Sequence, residues 1–450
     1  MAWPGPCSGW PENSRKTERK PVVFSKLKSL LKKKEGVLAW NTLMLMILTF
    51  STQLMSFFVA IRETHALGTV TYGVLHVAMK VTLYVQIVID FGFILSATEE
   101  VAKHRDDPRR LSVIMTSVTL GKLMLSLLAL TVLTVLCLTL PKWDGRLKLY
   151  LAFFAGQALN AMMPDYLYRG LEKMTAITVR TVLIRVFTTA GIFLLLDGPE
   201  DLFIIPLLTL IGNAVAIGAC FVDAKKRLNV GFCKVSLWDV WSRFRKSSVF
   251  FFSRFASTMY STLNTLVLDA VAPNGSEDRG LYGVANQLMD TGKNAVTPIS
   301  DSLYPYMVKN HDYKLVKKVL LILEPLIIAF CTGVFIVAPW FCATLFGEEY
   351  RASGDVLRVM LPTAVIILPS YICGFPMLTS MRLAKHANYS TIFGSIIHIV
   401  NLAILYFTGH MNMITLGAAM SVAEILIFLY RLAVIWRYRD RLKENAHVDP

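Results

Sequence analysis

The chain has 450 residues, 54% of them hydrophobic and only 17% charged, where a soluble domain carries about 25% charged residues. With a mean hydropathy of +0.52, this composition excludes a soluble globular fold and describes an all-α polytopic membrane protein. The formal net charge of +15 reads as a topology signal that also favours anionic lipid, in preference to a nucleic-acid patch.

The first twenty residues, with Pro4, Pro6 and Pro11 followed by SRKTERK, read as a disordered tail without a cleavable signal peptide. The next stretch, PVVFSKLKSLLKKK, sets Phe24, Leu27, Leu30 and Leu31 on one helical face among lysines. It predicts an interfacial helix on the inner leaflet. Twelve apolar runs of bilayer-spanning length follow: roughly 37–60, 73–97, 111–140, 148–168, 175–196, 202–222, 248–271, 281–305, 318–345, 355–378, 387–408 and 414–436. The run 281–305 carries Asn286, Gln287, Asp290, Lys293, Asn294 and Asp301. It would fail a strict hydropathy test, as a helix lining a polar pathway does.

Of the 46 Lys and Arg, about 32 fall in one alternating set of loops and termini, about 6 in the other and about 8 in the spans. The rich set comprises the N-terminus, 98–110, 169–174, 223–247, 306–317, 380–386 and the C-terminus, which places both termini in the cytoplasm. A second amphipathic segment, VSLWDVWSRFRK (235–246), spaces Leu237, Trp238, Trp241 and Phe244 helically opposite Arg243, Arg245 and Lys246. A plain solvated linker is the alternative there. Tyr72-Gly73-Val74 with Met79 recurs 210 residues later as Tyr282-Gly283-Val284 with Met289. The repeat divides the chain into a tail and interfacial helix (1–36), a six-helix half (37–222), a linker with its amphipathic helix (223–247), a second six-helix half (248–436) and a tail (437–450).

Catalytic motifs are missing. No phosphate-cradling G-x-x-x-x-G-K-[ST] loop occurs, the seven cysteines form no CxxC pair, and the eight histidines make no HExxH set. The cysteines read as small packing residues, and Asn274-Gly275-Ser276 is a short, weakly specific glycosylation sequon. The expectation is a transporter rather than an enzyme, with no cofactor or metal.

Charge inside the spans is the informative feature. Lys80, Lys122, Arg185 and Lys293 lie well within apolar runs, where a central charge costs roughly 2.5–3.5 kcal/mol on insertion scales. Such residues face a watery interior or an internal partner; for Lys293 the obvious partner is Asp290, three residues earlier. Arg180 and Arg254 are shallow enough to snorkel. Arg254 gains weight from a polar stripe of Ser253, Ser257, Tyr260, Ser261 and Asn264, although helix packing by small residues explains that stripe as well. Lys80, Lys122, Arg185, Arg254 and Lys293 are therefore the candidate substrate-binding residues for an anionic cargo. Asp90, Glu324 and Glu424 are the candidate coupling carboxylates, with pairing to a base such as Arg431 as the alternative for Glu424. His398 reads as a hydrogen-bonded core histidine more readily than as a proton relay.

Several segments carry a family resemblance: Leu67-Gly68 through Tyr72-Gly73, DFGFILSATEEVAKHRDD (90–107), MPDYLYRGLEKM (163–174), FFFSRFASTMYSTLNTLVL (250–268), GLYGVANQLMD (280–290), PISDSLYPYM (298–307) and LFGEEYRASGDVLRVMLP (345–362). In order and spacing over roughly 37–436, the set resembles the Wzx-type polysaccharide flippases of the multidrug/oligosaccharidyl-lipid/polysaccharide exporter superfamily. Tyr166 and Arg169 depart from the Trp and Gln of that pattern. The resemblance implies about twelve transmembrane helices in two pseudo-symmetric six-helix bundles around a central cavity in the inner membrane. The implied cargo is a polyprenyl-pyrophosphate-linked oligosaccharide, undecaprenyl pyrophosphate being the carrier. The implied partners are that lipid-linked oligosaccharide, membrane lipids and a glycan polymerase complex. A multidrug exporter or a lipid II flippase of the same superfamily, or a membrane glycan polymerase or ligase, are the alternatives; the short outer loops speak against the last.

Overall fold

The computed structural model describes residues 34–439, apart from Asp144 and Asn274. The expected tail and interfacial helix with Phe24, Leu27, Leu30 and Leu31, the sequon asparagine and residues 440–450 lie outside the described residues. So do the side chains of Ser253, Ser257, Tyr260 and Ser261. Among the described residues every regular element is helical.

Helix α1 runs Lys34–Asp90 and is broken at Gly68, whose φ of 69° and ψ of 170° suit only a residue without Cβ. The arms before and after it, α1a and α1b, each cross once, so the loop expected between 60 and 73 is a single-residue reversal. Helices α2 (Phe93–Lys103), α3 (Pro108–Thr139), α4 (Leu147–Met162), α5 (Asp165–Gly170), α6 (Met174–Leu195) and α7 (Ile204–Arg227) complete the first half. The second half contains α8 (Leu237–Val271), α9 (Asp278–Asn310), α10 (Tyr313–Phe346), α11 (Ser353–Ile372), α12 (Ala384–Phe407) and α13 (Met413–Arg437). Side chains cap several helix starts. Asp107 accepts from the backbone N–H of Arg109 and Arg110 ahead of Pro108, and Ser236 with Asp239 forms a capping box on α8.

Eight described segments are long and apolar enough to cross a membrane. Dividing the first at Gly68 and adding α4, α8 and α9 gives the twelve crossings. The 16-residue α4 is short, while α8 and α9 are absent from the apolar set because they carry polar residues along their length. Large apolar side chains cover the outer surface, Phe407 being 85% and Leu194 77% exposed, as lipid contact allows. Segment 235–246 forms the opening turns of the continuous 35-residue α8 rather than a separate helix. Leu237, Trp238 and Trp241 point outward, whereas Phe244 packs against Phe91 and Phe93.

The packing is unequal at the two ends. At the end remote from the basic loops, one apolar cluster joins the halves, bringing Leu67, Leu75 and Tyr150 together with Leu281, Val284, Phe346 and Tyr350. At the basic end the clusters belong to one half each: Leu378, Met381 and Val434 in the second, Tyr168, Ile177 and Cys220 in the first. The start of α8 reaches across there, with Phe244 packed on the first-half cluster and Arg243 on Glu100.

Candidate functional site

The two copies of the repeat face each other. Tyr72, His76, Lys80 and Tyr84 recur every four residues on α1b and so share one helical face. Each reaches the second half. Tyr72 stands edge-on to Tyr350, and the His76 ring covers Gly283, where a Cβ would lie 3.1 Å from it. The Tyr84 hydroxyl lies 2.6 Å from Thr262 Oγ1. Gly280 packs so tightly on the Thr69 carbonyl that no side chain fits, and a Cβ on Gly73 would meet Arg279 Cβ at 2.7 Å. Lys80 Nζ forms an ion pair with Asp290 Oδ2 at 3.1 Å, and Asn286 donates to the same oxygen at 2.9 Å.

Several buried polar atoms along this seam have no hydrogen-bond partner: both His76 nitrogens, Asn286 Oδ1, Glu63 Oε1 and the Tyr350 hydroxyl. Buried polar groups are normally satisfied, so their concentration here marks a polar interior. Arg185 on α6 adds a cation. Its side chain is exposed, on a helix that also turns Leu183, Val186 and Phe187 outward. Glu63 lies within Coulombic reach, but among the described residues no carboxylate approaches Arg185 within ion-pair distance.

The other candidates sit differently. Lys122 is 2% exposed, pairs with Asp90 at 3.1 Å, donates to the Ala161 carbonyl and lies 5.6 Å over the Tyr166 ring. Lys293 pairs with Glu424 on α13 at 3.0 Å, both buried. Asp290, the partner expected for Lys293, is engaged by Lys80 instead. Arg431 donates to Ser370 and Ser390, and His398 Nε2 lies 2.8 Å from Asn264 Oδ1. Arg254 is exposed on α8, and Glu324 is half-buried on α10 with Oε2 unpartnered. Arg180 pairs with Asp165 at 2.7 Å. It lines a 940 Å³ groove between α6 and α7, which also includes Val179, Phe187 and Val215. No group of three or more metal-ligating side chains occurs among the described residues.

Sequence reasoning missed a buried hub at the end remote from the basic loops. Asp269, 2% exposed, pairs with Arg146 at 3.1 Å and Arg279 at 2.8 Å and accepts from Trp143 Nε1 at 2.9 Å. Arg146 and Trp143 belong to the first half and Asp269 and Arg279 to the second, so the hub ties the halves together. Glu63 was missed too, lying in a stretch that reads as a loop. The first-half partners of Asp269 lie 123 and 126 residues away, too far in sequence to betray it.

A family model described as "Polysaccharide biosynthesis protein" matches residues 38–311. Two curated relatives carry the name "Putative O-antigen transporter". The one from Escherichia coli (strain K12) is 23% identical over 71% of this chain and 78% of its own length. The one from Shigella dysenteriae is 22% identical over 88% and 99%. Among solved structures, lipid II flippase MurJ in an inward closed conformation superposes with a TM-score of 0.71 at 12% identity, covering 89% of each chain. An inward-facing MATE family transporter of the MOP superfamily gives 0.64 at 13% identity, covering 89% of this chain and 96% of that one. The fold is that of the multidrug/oligosaccharidyl-lipid/polysaccharide superfamily, and the chain belongs to the polysaccharide biosynthesis protein family.

Proposed function

We propose that this protein is a flippase that turns polyprenyl-pyrophosphate-linked oligosaccharide repeat units from the inner to the outer leaflet for cell-surface polysaccharide synthesis. The observation that carries the reading is Arg185, a cation within a spanning helix that, among the described residues, has no carboxylate within ion-pair distance. A cation within a span calls for an anion, and a diphosphate headgroup supplies one with charge-assisted hydrogen bonds. The names of the relatives agree with a glycan cargo.

The basic end faces the cytoplasm by the positive-inside rule, the side where the lipid-linked unit is made. The diphosphate meets Arg185 and Lys80, and the sugars meet the tyrosine and amide side chains of the seam. The polyprenyl tail remains in the bilayer between the halves. Rocking of the halves carries the headgroup across. An inside-negative potential favours outward movement of an anion by roughly 2.3 kcal/mol per charge per 100 mV.

The test is transport of a polyprenyl-pyrophosphate-linked oligosaccharide in reconstituted vesicles. Arg185→Ala is expected to lower the rate at least about tenfold, roughly 1.4 kcal/mol of barrier, with normal protein abundance. Transport at the wild-type rate would remove the reading.

A further inference from the structure

Lys80 and Asp290 occupy equivalent positions in the repeat, 210 residues apart, each about twelve residues or roughly 18 Å from the turn that precedes its helix. Their ion pair thus sits near mid-membrane on the contact between α1b and α9. Among the described residues, the other ion pairs joining the two halves lie at the ends: Arg146 with Asp269 at one, Arg243 and Lys246 with Glu100 at the other. The mid-depth pair is also the accessible one of the intramembrane lysine pairs. Its side chains are 13% and 34% exposed, against 3% and 10% for Lys122–Asp90.

We propose that Asp290 is an internal competitor of the anionic cargo: it holds Lys80 in the empty carrier and yields it to the cargo's diphosphate. This rests on the anionic-cargo reading above and deepens it. A diphosphate offers Lys80 more charge and more acceptor oxygens than one carboxylate, so exchange is favourable once the headgroup arrives. Exchange also breaks the mid-membrane tie between the halves. Cargo binding and separation of α1b from α9 are therefore one event, and an uncharged headgroup cannot trigger it. Asn286 keeps hold of the released Asp290 carboxylate, so that it re-forms the pair after the cargo leaves.

The two roles of the pair are separable with farnesyl pyrophosphate as the probe and the full-length protein in nanodiscs. Asp290→Asn removes the competitor. It is expected to bind the probe at least about fivefold more tightly than wild type, a modest coupling factor, while transporting more slowly. Lys80→Gln is expected to bind more weakly by a similar factor. The exchange Lys80→Asp with Asp290→Lys rebuilds the pair with its sign reversed and is expected to keep wild-type abundance. Asp290→Asn protein of normal abundance that binds the probe no better than wild type would overturn the inference while leaving the anionic-cargo reading intact. A wild-type protein that does not bind the probe would overturn both.

Discussion

Two lysine–carboxylate pairs in this protein share the same 3.1 Å separation and differ in everything around them. Lys122 and Asp90 lie within the first half, sealed from both lipid and the interior, with an added carbonyl and an aromatic face on the ammonium. Lys80 and Asp290 come from opposite halves, stay accessible, and meet where two copies of a repeat pack together. The distance alone does not distinguish a strut from a working contact; burial and connectivity do. A sealed pair inside one rigid half has no route to cargo, whereas a pair across the seam must change whenever the halves part.

The contrast can be broken by deleting each cation. Lys122→Ala leaves Asp90 buried and unpaired, a loss of about 3–5 kcal/mol. It should show as a large fall in folded protein in the membrane and in thermal stability of the purified protein. Normal abundance and stability would place this pair among the working contacts. Asp269→Asn comes next. It removes the charge from a hub holding Arg146 and Arg279, worth about 1–3 kcal/mol per unsatisfied buried donor. The cost falls on a tie between halves, so spin-label distances between residues 200 and 276 should gain a longer population; an unchanged distribution would mean that the hub does not hold the halves together. Lys80→Ala should be mildest in stability, within about 1 kcal/mol for a partly accessible pair, yet transport should be lost. The reverse outcome, stability lost and transport kept, would merge the two pairs into one class.

Much of the architecture was legible because lipid imposes a strong length and composition rule on helices. Even the polar character of α9 was readable, since a run with Asn286, Asp290 and Lys293 cannot face hydrocarbon. The narrowness of the break at Gly68 was not, because the stretch between 60 and 73 reads as a loop although helix continues to a single residue with positive φ. Partner choice was legible least. Asp290 and Lys293 stand three residues apart on one helix, which invites pairing, yet Asp290 turns to α1b and Lys293 to Glu424 on α13. Partners from other helices approach to 3.0–3.1 Å, and their separations of 210 and 131 residues leave no local trace. The same holds for Asp269, whose partners on the first half lie 123 and 126 residues away.

The most direct test is a structure of the protein with a bound polyprenyl pyrophosphate. Phosphate oxygens are expected about 3 Å from the Arg185 guanidinium and the Lys80 ammonium, with Asp290 turned away from Lys80. A diphosphate bound elsewhere, with the Lys80–Asp290 pair intact and Arg185 untouched, would contradict it.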